Sequence, residues 1–345
     1  MTNSTELHAT LWPSFPHFEE TIKDQRVDGI RLNGPITFSL ERIAEDVNHA
    51  VDLDLSKLYF DIKARQVRVI EVRPYKDHLE LKVNHKIRAK KFPLTVLFKD
   101  GTDYATLVDI KDDVLIFEGG PKNEIVPCEP VYIRPPEFII QDNIISDYEA
   151  KRIEIARDYG INHFMLSYVE NENDIVDLRE HIGNNASVVA KIESRKGLEY
   201  VANRFKKTDG LSLMLARGDL YVELDKPHEI IGATKSLIEK DPEAMVGSRI
   251  LHSLRNTPIP ECADFSELAW LYHLGYRRFL LCDELCLKKE LLARSINVFD
   301  SFRRDCTPNY ESYSNRGRFG SLVERFASKV LRPLSRIGGY NDRWK

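Results

Sequence analysis

Cysteine is scarce in this sequence and shows no pairing pattern, with five residues among 345. They are Cys128, Cys262, Cys282, Cys286 and Cys306. Because they are odd in number and lack CxxC spacing, they indicate neither a disulfide framework nor a zinc ribbon. We therefore expect all five to be reduced thiols.

The sequence also lacks a long apolar run and a marked excess of one charge. No run approaches the roughly 18 apolar residues that a membrane-spanning helix needs, and the amino terminus has no basic segment followed by an apolar one. Fifty basic residues face 54 acidic ones, a formal net charge of −4, which excludes a broad basic surface for nucleic acid. We expect a cytoplasmic protein without a transmembrane segment or a nucleic-acid partner.

Short apolar runs rich in β-branched residues recur along the chain and alternate with helical patterns. The eight runs are residues 7–11, 29–33, 57–63, 163–168, 187–193, 210–216, 244–249 and 278–284. Such alternation is typical of βα units around a parallel sheet. A length of 345 residues allows two ordinary domains or one barrel with an insertion, and eight units favour the α/β fold called the TIM (β/α)8 barrel.

Residues 65–136 interrupt this alternation with β-type stretches such as VRVIEV, LELKV, PLTVLF and VLIFEG. Turn sequences separate these stretches, which is typical of an all-β segment. Because the insert follows the third strand, it emerges at the face where barrels carry their sites, as either a mobile lid or a structural cap. The predicted segments are a first barrel part (1–64), this small lid domain, a second barrel part (137–300) and a tail (301–345).

Two segments carry clear helical signals. Ser146, with Glu149 three residues later, predicts a capping-box helix start, and Gly160 predicts the end of that helix. The tail contains ten Lys and Arg against four Asp and Glu, and its VERFASKVLRPL stretch has apolar residues at helical spacing. We expect a tail helix packed on the barrel, with a partner or membrane-surface contact as the alternative.

Seven of the eight predicted strands end in polar or charged residues, which in a TIM barrel point into the mouth. The residues at these ends are Arg31, Asn33, Asp61, Lys63, Ser167, Lys191, Glu193, Arg217, Gly218, Asp219, Ser248, Asp283 and Glu284. Half-buried charges must be paired or bound to a ligand. The pattern therefore indicates either a ligand site or an internal salt-bridge network that closes the mouth.

Three of these residues favour a metal site. Lys191 and Glu193 lie two apart on one strand, hence on the same side, and face Asp219 from the next run. The two carboxylates offer the oxygen ligands that Mg²⁺, or Mn²⁺ in its place, would bind, with substrate oxygens and water completing the coordination. Lys191 beside the ion would stabilise negative charge that develops on the substrate.

The neighbouring residues favour an anionic substrate. Arg217, Gly218 and Asp219 open the helix after the sixth run, so free backbone N–H groups there form a seat for a carboxylate or phosphate. Gly218 permits close approach of a ligand, and Arg31 offers a second, bidentate anion contact. Together these residues predict a site for a small, doubly anionic substrate with a metal.

Four blocks of the sequence resemble the barrel of the pyruvate kinase family: AKIESRKG, TDGLSLMLARGDLYVEL, MVGSRILHSLRNTPIPECADFSEL and FLLCDE. They include the family's KIE and ARGDL motifs, and ISDYEAKRIEIARDYGINHFMLSYVEN precedes them at a similar spacing. The N-terminal half is similar through ATLWP, DGIRLNG and FDIKARQVR, so the resemblance covers about residues 7–300. It implies a TIM barrel with a lid inserted after the third strand.

The resemblance also implies roles for individual residues. Lys191 matches the family's catalytic lysine, and Glu193 and Asp219 match its divalent-metal ligands. Arg31 and Arg68 match the arginines that contact the phosphoryl group, Arg68 from the lid.

The remaining matches concern the substrate and the rim of the mouth. Gly218 and Ser248 match the seat of the substrate carboxylate, with serine for the family's usual threonine, and Glu284 matches the glutamate of the last strand. The expected substrate-binding residues are Arg217, Gly218, Asp219, Ser248, Asn33 and Ser167.

The sequence departs from the family where the nucleotide and potassium ligands belong. Asn33 is followed by Gly-Pro-Ile in place of Phe-Ser-His, and Asp61 by Ile62 in place of threonine. Asn33 and Asp61 would thus be the remnant of a degraded monovalent-cation site, and we expect K⁺ not to be required. We expect a short lid and no C-terminal allosteric domain of the family's kind, and a homo-oligomer stays open.

Three functions follow from these matches and departures. The first is Mg²⁺-dependent phosphoryl transfer between phosphoenolpyruvate and ADP, giving pyruvate and ATP in glycolysis. The second is a metal-dependent lyase or transferase that acts through the pyruvate enolate on a non-nucleotide electrophile, which loss of phosphate-side residues favours. The third is a non-catalytic scaffold or regulator. His78, His85 and His252 have no partners at metal-ligand spacing and are expected to be ordinary surface or core residues.

Overall fold

The computed structural model describes residues 5–133 and 138–305. The chain divides into two units, residues 1–297 and 298–345, and only residues 298–305 of the second are described. The predicted tail, apart from its first five residues, and its VERFASKVLRPL segment lie outside the described residues.

The described strands follow one another in two groups, with the insert between β3 and β11. They are β1 (Glu6–Thr10), β2 (Gly29–Leu32), β3 (Leu58–Ile62), β4 (Val69–Pro74), β5 (His78–Val83), β6 (Ile87–Ala89), β7 (Leu94–Phe98), β8 (Asp103–Lys111), β9 (Val114–Glu118), β10 (Phe138–Ile140), β11 (His163–Leu166), β12 (Ser187–Ile192), β13 (Leu211–Ala216), β14 (Met245–Gly247) and β15 (Arg278–Leu280).

The described α-helices lie outside the insert, between the barrel strands and after the last one. They are α1 (Phe18–Lys23), α2 (Leu40–Asp54), α3 (Asp147–Asp158), α4 (Glu172–Ile182), α5 (Arg195–Asn203), α6 (Arg217–Glu223), α7 (Glu229–Lys240), α8 (Cys262–Leu274), α9 (Asp283–Cys286) and α10 (Lys289–Asp305). Short 3₁₀ helices lie at Leu55–Lys57, Lys99–Gly101 and His252–Arg255.

All eight predicted runs contribute strands to one closed parallel barrel. The strand order is β1-β15-β14-β13-β12-β11-β3-β2. The longest register joins β12 to β13, from Val188 opposite Leu211 to Ile192 opposite Leu215. The prediction of a TIM barrel is confirmed.

The barrel interior is apolar below the mouth. Val189 packs there with buried methionines from the neighbouring strands, among them Met165 and Met214. Because side chains alternate along a strand, Lys191 lies on the same side as Val189, one layer nearer the carboxyl end. The charged residues at the strand ends therefore lie directly above a layer of apolar side chains in the barrel interior.

The insert folds on a sheet of its own and is called the lid below. Its five-stranded antiparallel sheet has the order β4-β5-β9-β8-β7, and β6 pairs with β10 in a second, two-stranded sheet. The fully buried side chains of its core include Leu81, Val96, Phe98, Leu107, Leu115 and Phe117. The all-β insertion after the third strand is confirmed; the exact segment boundaries stay predictions, and the β6–β10 pairing places residues 138–140 beside the lid.

Helix α3 begins and ends where the sequence predicts. The hydroxyl of Ser146 accepts a hydrogen bond from the Glu149 backbone N–H at 3.2 Å, and Gly160 after the helix has a φ of +89°. The Glu149 side chain instead binds the segment just before the lid, where its carboxylate oxygens accept from the backbone N–H groups of Lys63 and Ala64, each at 2.8 Å.

Within the described residues, no helix combines the length and the apolar character needed to cross a bilayer.

Candidate active site

The carboxyl ends of the barrel strands and the lid enclose a cavity of about 780 Å³. The sequence analysis named fourteen residues for the site, thirteen at the strand ends and Arg68 in the lid, and eleven of them line this cavity. They are Arg31, Asn33, Lys63, Arg68, Lys191, Glu193, Gly218, Asp219, Ser248, Asp283 and Glu284. The lid contributes a second wall that includes Gln66, Lys99, Asp100 and Tyr132.

Asp61 is the centre of the charge arrangement beneath the cavity. It is fully buried, and its carboxylate contacts Arg31 Nε at 2.9 Å, Lys191 Nζ at 2.9 Å and Lys63 Nζ at 2.6 Å. Burial by itself would raise the pKa of Asp61, but the three cations outweigh burial and hold that pKa well below its usual range. One carboxylate thus holds three cations, and the cluster keeps an excess of positive charge.

Lys63 takes its place between the two residues of the predicted cation site. Its ammonium group donates to the Asn33 side-chain oxygen and to the Asp61 carboxylate. Burial lowers the pKa of Lys63 to about 7, against the opposing effect of Asp61 and with help from the nearby positive charge of Arg68. The Asn33 amide in turn donates to Asp283 at 2.9 Å, so β2, β3 and the segment after β15 are joined at the mouth.

Glu193 and Asp219 bring two carboxylates to the same cavity. Glu193 Oε2 accepts from the Tyr168 backbone N–H at 2.8 Å, and Glu193 Oε1 lies 3.5 Å from Lys191 Nζ. Burial raises the pKa of Glu193 to about 7; Lys191 opposes this change, and the negative charge of Asp219 adds to it. Among the described residues Asp219 has no cationic partner, so the pair carries negative charge that a cation would offset.

The two carboxylates fit a divalent ion that is held jointly by protein and substrate. They are oxygen donors of the kind that Mg²⁺ binds. The described part of the chain contains no group of three or more His, Cys, Asp and Glu side chains that could hold an ion without other ligands. An ion at Glu193 and Asp219 would therefore need oxygens from a substrate and from water.

The lid supplies a contact to the metal pair that the sequence analysis missed. The Tyr132 hydroxyl donates to Asp219 Oδ1 at 2.8 Å, and the Gln66 amide approaches the same oxygen at 3.5 Å. Burial and the charge of Asp219 raise the pKa of Tyr132 well above its usual value. The alternating pattern of the lid predicts strands, but it carries no signal for which lid residue meets the barrel.

Arg68 is held at the edge of the cavity by lid groups. Its Nε donates to the Gln66 side chain at 2.8 Å and its Nη1 to the Cys128 carbonyl at 2.6 Å. Its Nη2 has no acceptor among the described residues, and the same is true of both Nη atoms of Arg31. These guanidinium nitrogens remain available to an anion.

Gly218 and Ser248 form a close contact at the ends of β13 and β14. A Cβ atom added to Gly218 would lie 3.2 Å from Ser248 Oγ, so glycine keeps this part of the cavity open. Ser248, Arg249 and Leu251 all have φ values in the left-handed region, at +62°, +59° and +52°. Non-glycine residues rarely adopt this conformation, so the loop is strained beside the site.

Two predicted substrate ligands do not line the cavity. The Arg217 guanidinium binds Glu267 Oε1 at 2.6 Å and the Ser248 carbonyl at 2.8 Å, so its side chain anchors the strained loop. Ser167 is buried, and its hydroxyl has no partner among the described residues. Asp61 is the third proposed residue that does not line the cavity, and it fixes the positions of three cations that do.

One part of the cavity wall is poor in polar side chains. Gly34, Pro35 and Ile36 form it and offer neither a hydroxyl nor an imidazole. Arg255, which the sequence analysis did not select, pairs with Glu284 at 2.9 Å. Arg255 lies in the 3₁₀ helix after β14, away from any strand end, so strand-end reasoning could not find it.

Comparison with known proteins agrees with this geometry. Residues 75–271 match the family model of the pyruvate kinase barrel domain. The chain belongs to the pyruvate kinase family. The family predicted from the sequence blocks is thereby confirmed.

Similar proteins include the pyruvate kinases of three microorganisms. That of Methanocaldococcus jannaschii is 24% identical over 336 residues, which are 92% of this chain and 72% of the relative. Those of Thermoplasma acidophilum and Thermotoga maritima are each 28% identical, over 65% and 64% of this chain. The chain spans 45% and 47% of the length of these last two relatives.

Proposed function

We propose that this member of the pyruvate kinase family transfers the phosphoryl group of phosphoenolpyruvate to ADP, giving pyruvate and ATP. The observation that carries the proposal is the meeting of Arg31, Lys191, Glu193 and Asp219 in one cavity. Cations for a phosphoryl group, an ammonium for an enolate and a carboxylate pair for a divalent ion are the parts that such a transfer needs.

The substrate would lie with its carboxylate at Gly218 and Ser248, where the cavity is open to close approach. The free guanidinium nitrogens of Arg31 and Arg68 would contact the phosphoryl group. Lys191, whose Nζ is fixed by Asp61 at 2.9 Å, would stabilise the negative charge of the enolate oxygen as the phosphoryl group leaves. Positioning of this kind, with no covalent chemistry by the protein, is how phosphoryl-transfer enzymes reach their rates.

Glu193 and Asp219 would hold Mg²⁺ or Mn²⁺. When bound, the ion would neutralise charge on the phosphoryl and enolate oxygens. The Tyr132 hydroxyl, which donates to Asp219 at 2.8 Å, would orient that carboxylate and couple the lid to the metal site. We also infer from this substrate pair a cytoplasmic, glycolytic role.

A second function has one specific observation in its favour. The Gly34, Pro35 and Ile36 wall offers no polar side chain to nucleotide phosphates. The same enolate chemistry would then serve a metal-dependent lyase or transferase with a carbonyl carbon as the electrophile. Retention of Arg31 and Arg68, whose free nitrogens suit a phosphoryl group, makes the kinase our choice.

Two assays on one preparation separate the functions. The protein is incubated with pyruvate and Mg²⁺ in D₂O while the methyl proton signal is followed, and ATP formation from phosphoenolpyruvate and ADP is measured in parallel. Exchange with ATP formation supports the kinase, and exchange without ATP supports the lyase or transferase. Absence of both, with or without an added phosphate analogue, supports a scaffold and contradicts the proposal.

The Lys191→Met variant tests the site itself. It is expected to lower both signals by at least about 100-fold, because one preorganised charge at a developing anion has roughly that effect on rate. Lys196→Met is the matched control, since Lys196 is more than half exposed and, among the described residues, pairs only with Glu170, at 3.6 Å. Unchanged turnover in Lys191→Met would contradict the assignment.

A further inference from the structure

His85 bridges the two connections between the lid and the barrel. It lies in the lid between β5 and β6 and is almost fully buried, at 2% exposure. Its Nε2 lies 2.6 Å from the Ala64 carbonyl oxygen, on the outgoing connection (63–68), and its Nδ1 lies 2.9 Å from Asp142 Oδ1, on the return connection (141–146). One imidazole ring therefore holds both connections.

Both partners of this ring are hydrogen-bond acceptors. A backbone carbonyl cannot donate, and an ionised carboxylate cannot donate either. The second oxygen of Asp142 accepts from the Lys86 backbone N–H at 3.0 Å, so both oxygens of this carboxyl group have partners at the junction. A neutral histidine has one N–H and one lone pair, so it satisfies only one of the two acceptors. Both hydrogen bonds of the His85 ring form only when the ring carries a proton on each nitrogen.

The outgoing connection is held from its other side by the barrel. Ala64 has a left-handed φ of +44°, and Glu149 accepts from the backbone N–H groups of Ala64 and Lys63, each at 2.8 Å. Glu149 is itself paired with the buried Arg152 at 3.2 Å. His85 and Glu149 thus bind the carbonyl and the N–H of the same residue.

This junction is directly linked to the candidate active site through Lys63. Lys63, whose backbone is bound by Glu149, extends its ammonium group to Asp61 at 2.6 Å. A shift of the Ala64 peptide would move Lys63 and, through Asp61, the cations that the proposed function uses.

We propose that His85 is a positioning residue of the lid, which as an imidazolium ties Ala64 to Asp142 and which, when it loses a proton, keeps only one of these two hydrogen bonds and so unties the two connections from each other. The charged groups that face the junction are Asp142 on the return connection, Glu149 and Arg152 on α3, Lys63 on the outgoing connection and Lys86 beside the ring. Asp142 is the one whose carboxylate meets the ring. The effect on turnover rests on the proposed function, whereas the protonated bridge itself does not.

The test uses the full chain and the Asp142→Asn variant. Asparagine can turn its amide so that Nδ2 donates to an unprotonated Nδ1, which makes the neutral ring sufficient. Imidazole ¹⁵N spectra against pH report the protonation of His85, with His85→Gln to assign the signal. Hydrogen exchange of residues 63–68 and 141–146, corrected for intrinsic rates, reports release of the connections.

In the wild type, exchange of the connection whose hydrogen bond to His85 is lost is expected to rise by roughly 10- to 100-fold above the pH at which His85 loses its proton, as loss of a charged hydrogen bond predicts. In Asp142→Asn this rise is expected to disappear. His78→Gln is the control, because His78 is a partly exposed lid histidine paired with Asp77 and Glu80. Because Lys63 and Glu193 have pKa values of about 7 in both proteins, the ratio of their kcat/KM values at each pH is compared. If the kinase proposal holds, the ratio of wild type to Asp142→Asn falls at the pH at which His85 loses its proton.

Two results would overturn the inference: a neutral His85 with fully protected connections in the wild type, or His85→Gln exchanging no faster than the wild type. Absence of kinase activity would leave the spectra and the exchange data unaffected, so it would count against the proposed function alone.

Discussion

Asp61 shows how a single buried residue sets the chemistry of this site. Its carboxylate is fully buried and contacts three cations, Arg31, Lys63 and Lys191. Removal of a partner from such a buried arrangement leaves an uncompensated charge and typically costs about 3–5 kcal/mol. The cluster therefore holds the three cations in fixed positions while it leaves an excess of positive charge for an anionic substrate.

The contact of Lys63 with Asn33 and Asp61 explains the predicted indifference to potassium. The Lys63 side chain lies on the two oxygens that remain of the cation site and, with a pKa of about 7, carries a monovalent charge there in mildly acidic solution. At about pH 6, activity of the wild type is expected to be equal in potassium chloride and in tetramethylammonium chloride at matched ionic strength.

The Lys63→Met variant is expected to lose roughly 10- to 100-fold in kcat and to recover part of this loss in potassium chloride only. The assay is turnover in the two salts, with Lys82→Met as control, since Lys82 is a partly exposed lid residue paired with Asp113 at 3.6 Å. A potassium requirement in the wild type would contradict this assignment of Lys63.

Gly218 offers a test of the carboxylate seat. In Gly218→Ala the new methyl group would lie 3.2 Å from Ser248 Oγ, tighter than ordinary van der Waals contact, and would narrow the space for the substrate. We expect KM for the anionic substrate to rise about tenfold, equivalent to about 1.4 kcal/mol of binding, with a smaller change in kcat.

The matched control for this variant is Gly232→Ala, on the exposed face of α7. A Cβ atom there meets nothing within 4 Å, so alanine should stabilise the helix by about 0.5–1 kcal/mol without kinetic effect. Steady-state kinetics and thermal unfolding of both variants check the pair. Equal KM values in Gly218→Ala and the wild type would contradict the location of the seat.

Among the elements, the lid depends on specific turns as well as on its apolar core. At the start of β8, the Asp103 carboxylate accepts from the backbone and side chain of Asn123, at 2.8 and 2.7 Å, and from Lys122 N at 3.2 Å. The backbone N–H of Asn123 and these other donors lower the pKa of Asp103 from 3.8 to about 2. One carboxylate thus closes the turn that follows β9.

The Asp103→Ala variant is expected to unfold at a lower temperature than the wild type near neutral pH. Because the folded-state pKa of Asp103 is depressed, its contribution to stability is present above pH 3.8 and is lost as the pH falls through about 2. The difference in Tm should therefore shrink over this acid range. Asp109→Ala, at an exposed position of the same strand, is the control, and a difference that stays constant with pH would contradict the assignment.

The strands and helices were predictable where the periodicity of apolar residues or helix-capping residues indicate them. All eight barrel strands lie within the predicted runs except for one residue at the start of β1, and Ser146 and Gly160 bound α3 as expected. The loop after β14 was not predictable, since nothing in Ser248, Arg249 and Leu251 favours a left-handed backbone. Its conformation depends on Arg217, which holds the Ser248 carbonyl.

At the scale of the whole molecule, the Glu193 and Asp219 pair predicts that a metal ion and an anionic ligand stabilise the folded protein only when both are bound. Without a third protein ligand among the described residues, Mg²⁺ alone should bind weakly at Glu193 and Asp219. Oxalate, a planar dianion similar to the enolate of pyruvate, would supply the missing oxygens. At a ligand concentration about 100 times its Kd, binding adds about 2.7 kcal/mol to the free energy of unfolding.

Thermal unfolding with Mg²⁺, with oxalate and with both measures this effect. We expect a clear rise in Tm only with both ligands, and loss of that rise in Glu193→Gln and after chelation by EDTA. Glu199→Gln is the control, because Glu199 is an exposed residue of the following helix. The same rise in Glu193→Gln and the wild type would contradict the metal assignment.

The sequence by itself determined the barrel, the all-β insert and the family. These features rest on local periodicity and on contiguous motifs such as KIE and ARGD, which survive without knowledge of distant contacts. It also identified most of the residues at the mouth, because polar side chains at the ends of buried strands require partners.

Only the tertiary structure decided which of these residues line the cavity and which hold other residues in place. Arg217 belongs to the ARGD motif, but its side chain binds Glu267 outside the cavity lining. Tyr132 and His85, both in the lid, contact Asp219 and Ala64. Each of these contacts joins residues 21 to 87 positions apart. The two lid contacts depend on how the lid is oriented on the barrel, and the contact between Arg217 and Glu267 depends on where α6 and α8 lie around the barrel. No local pattern in the chain records these arrangements.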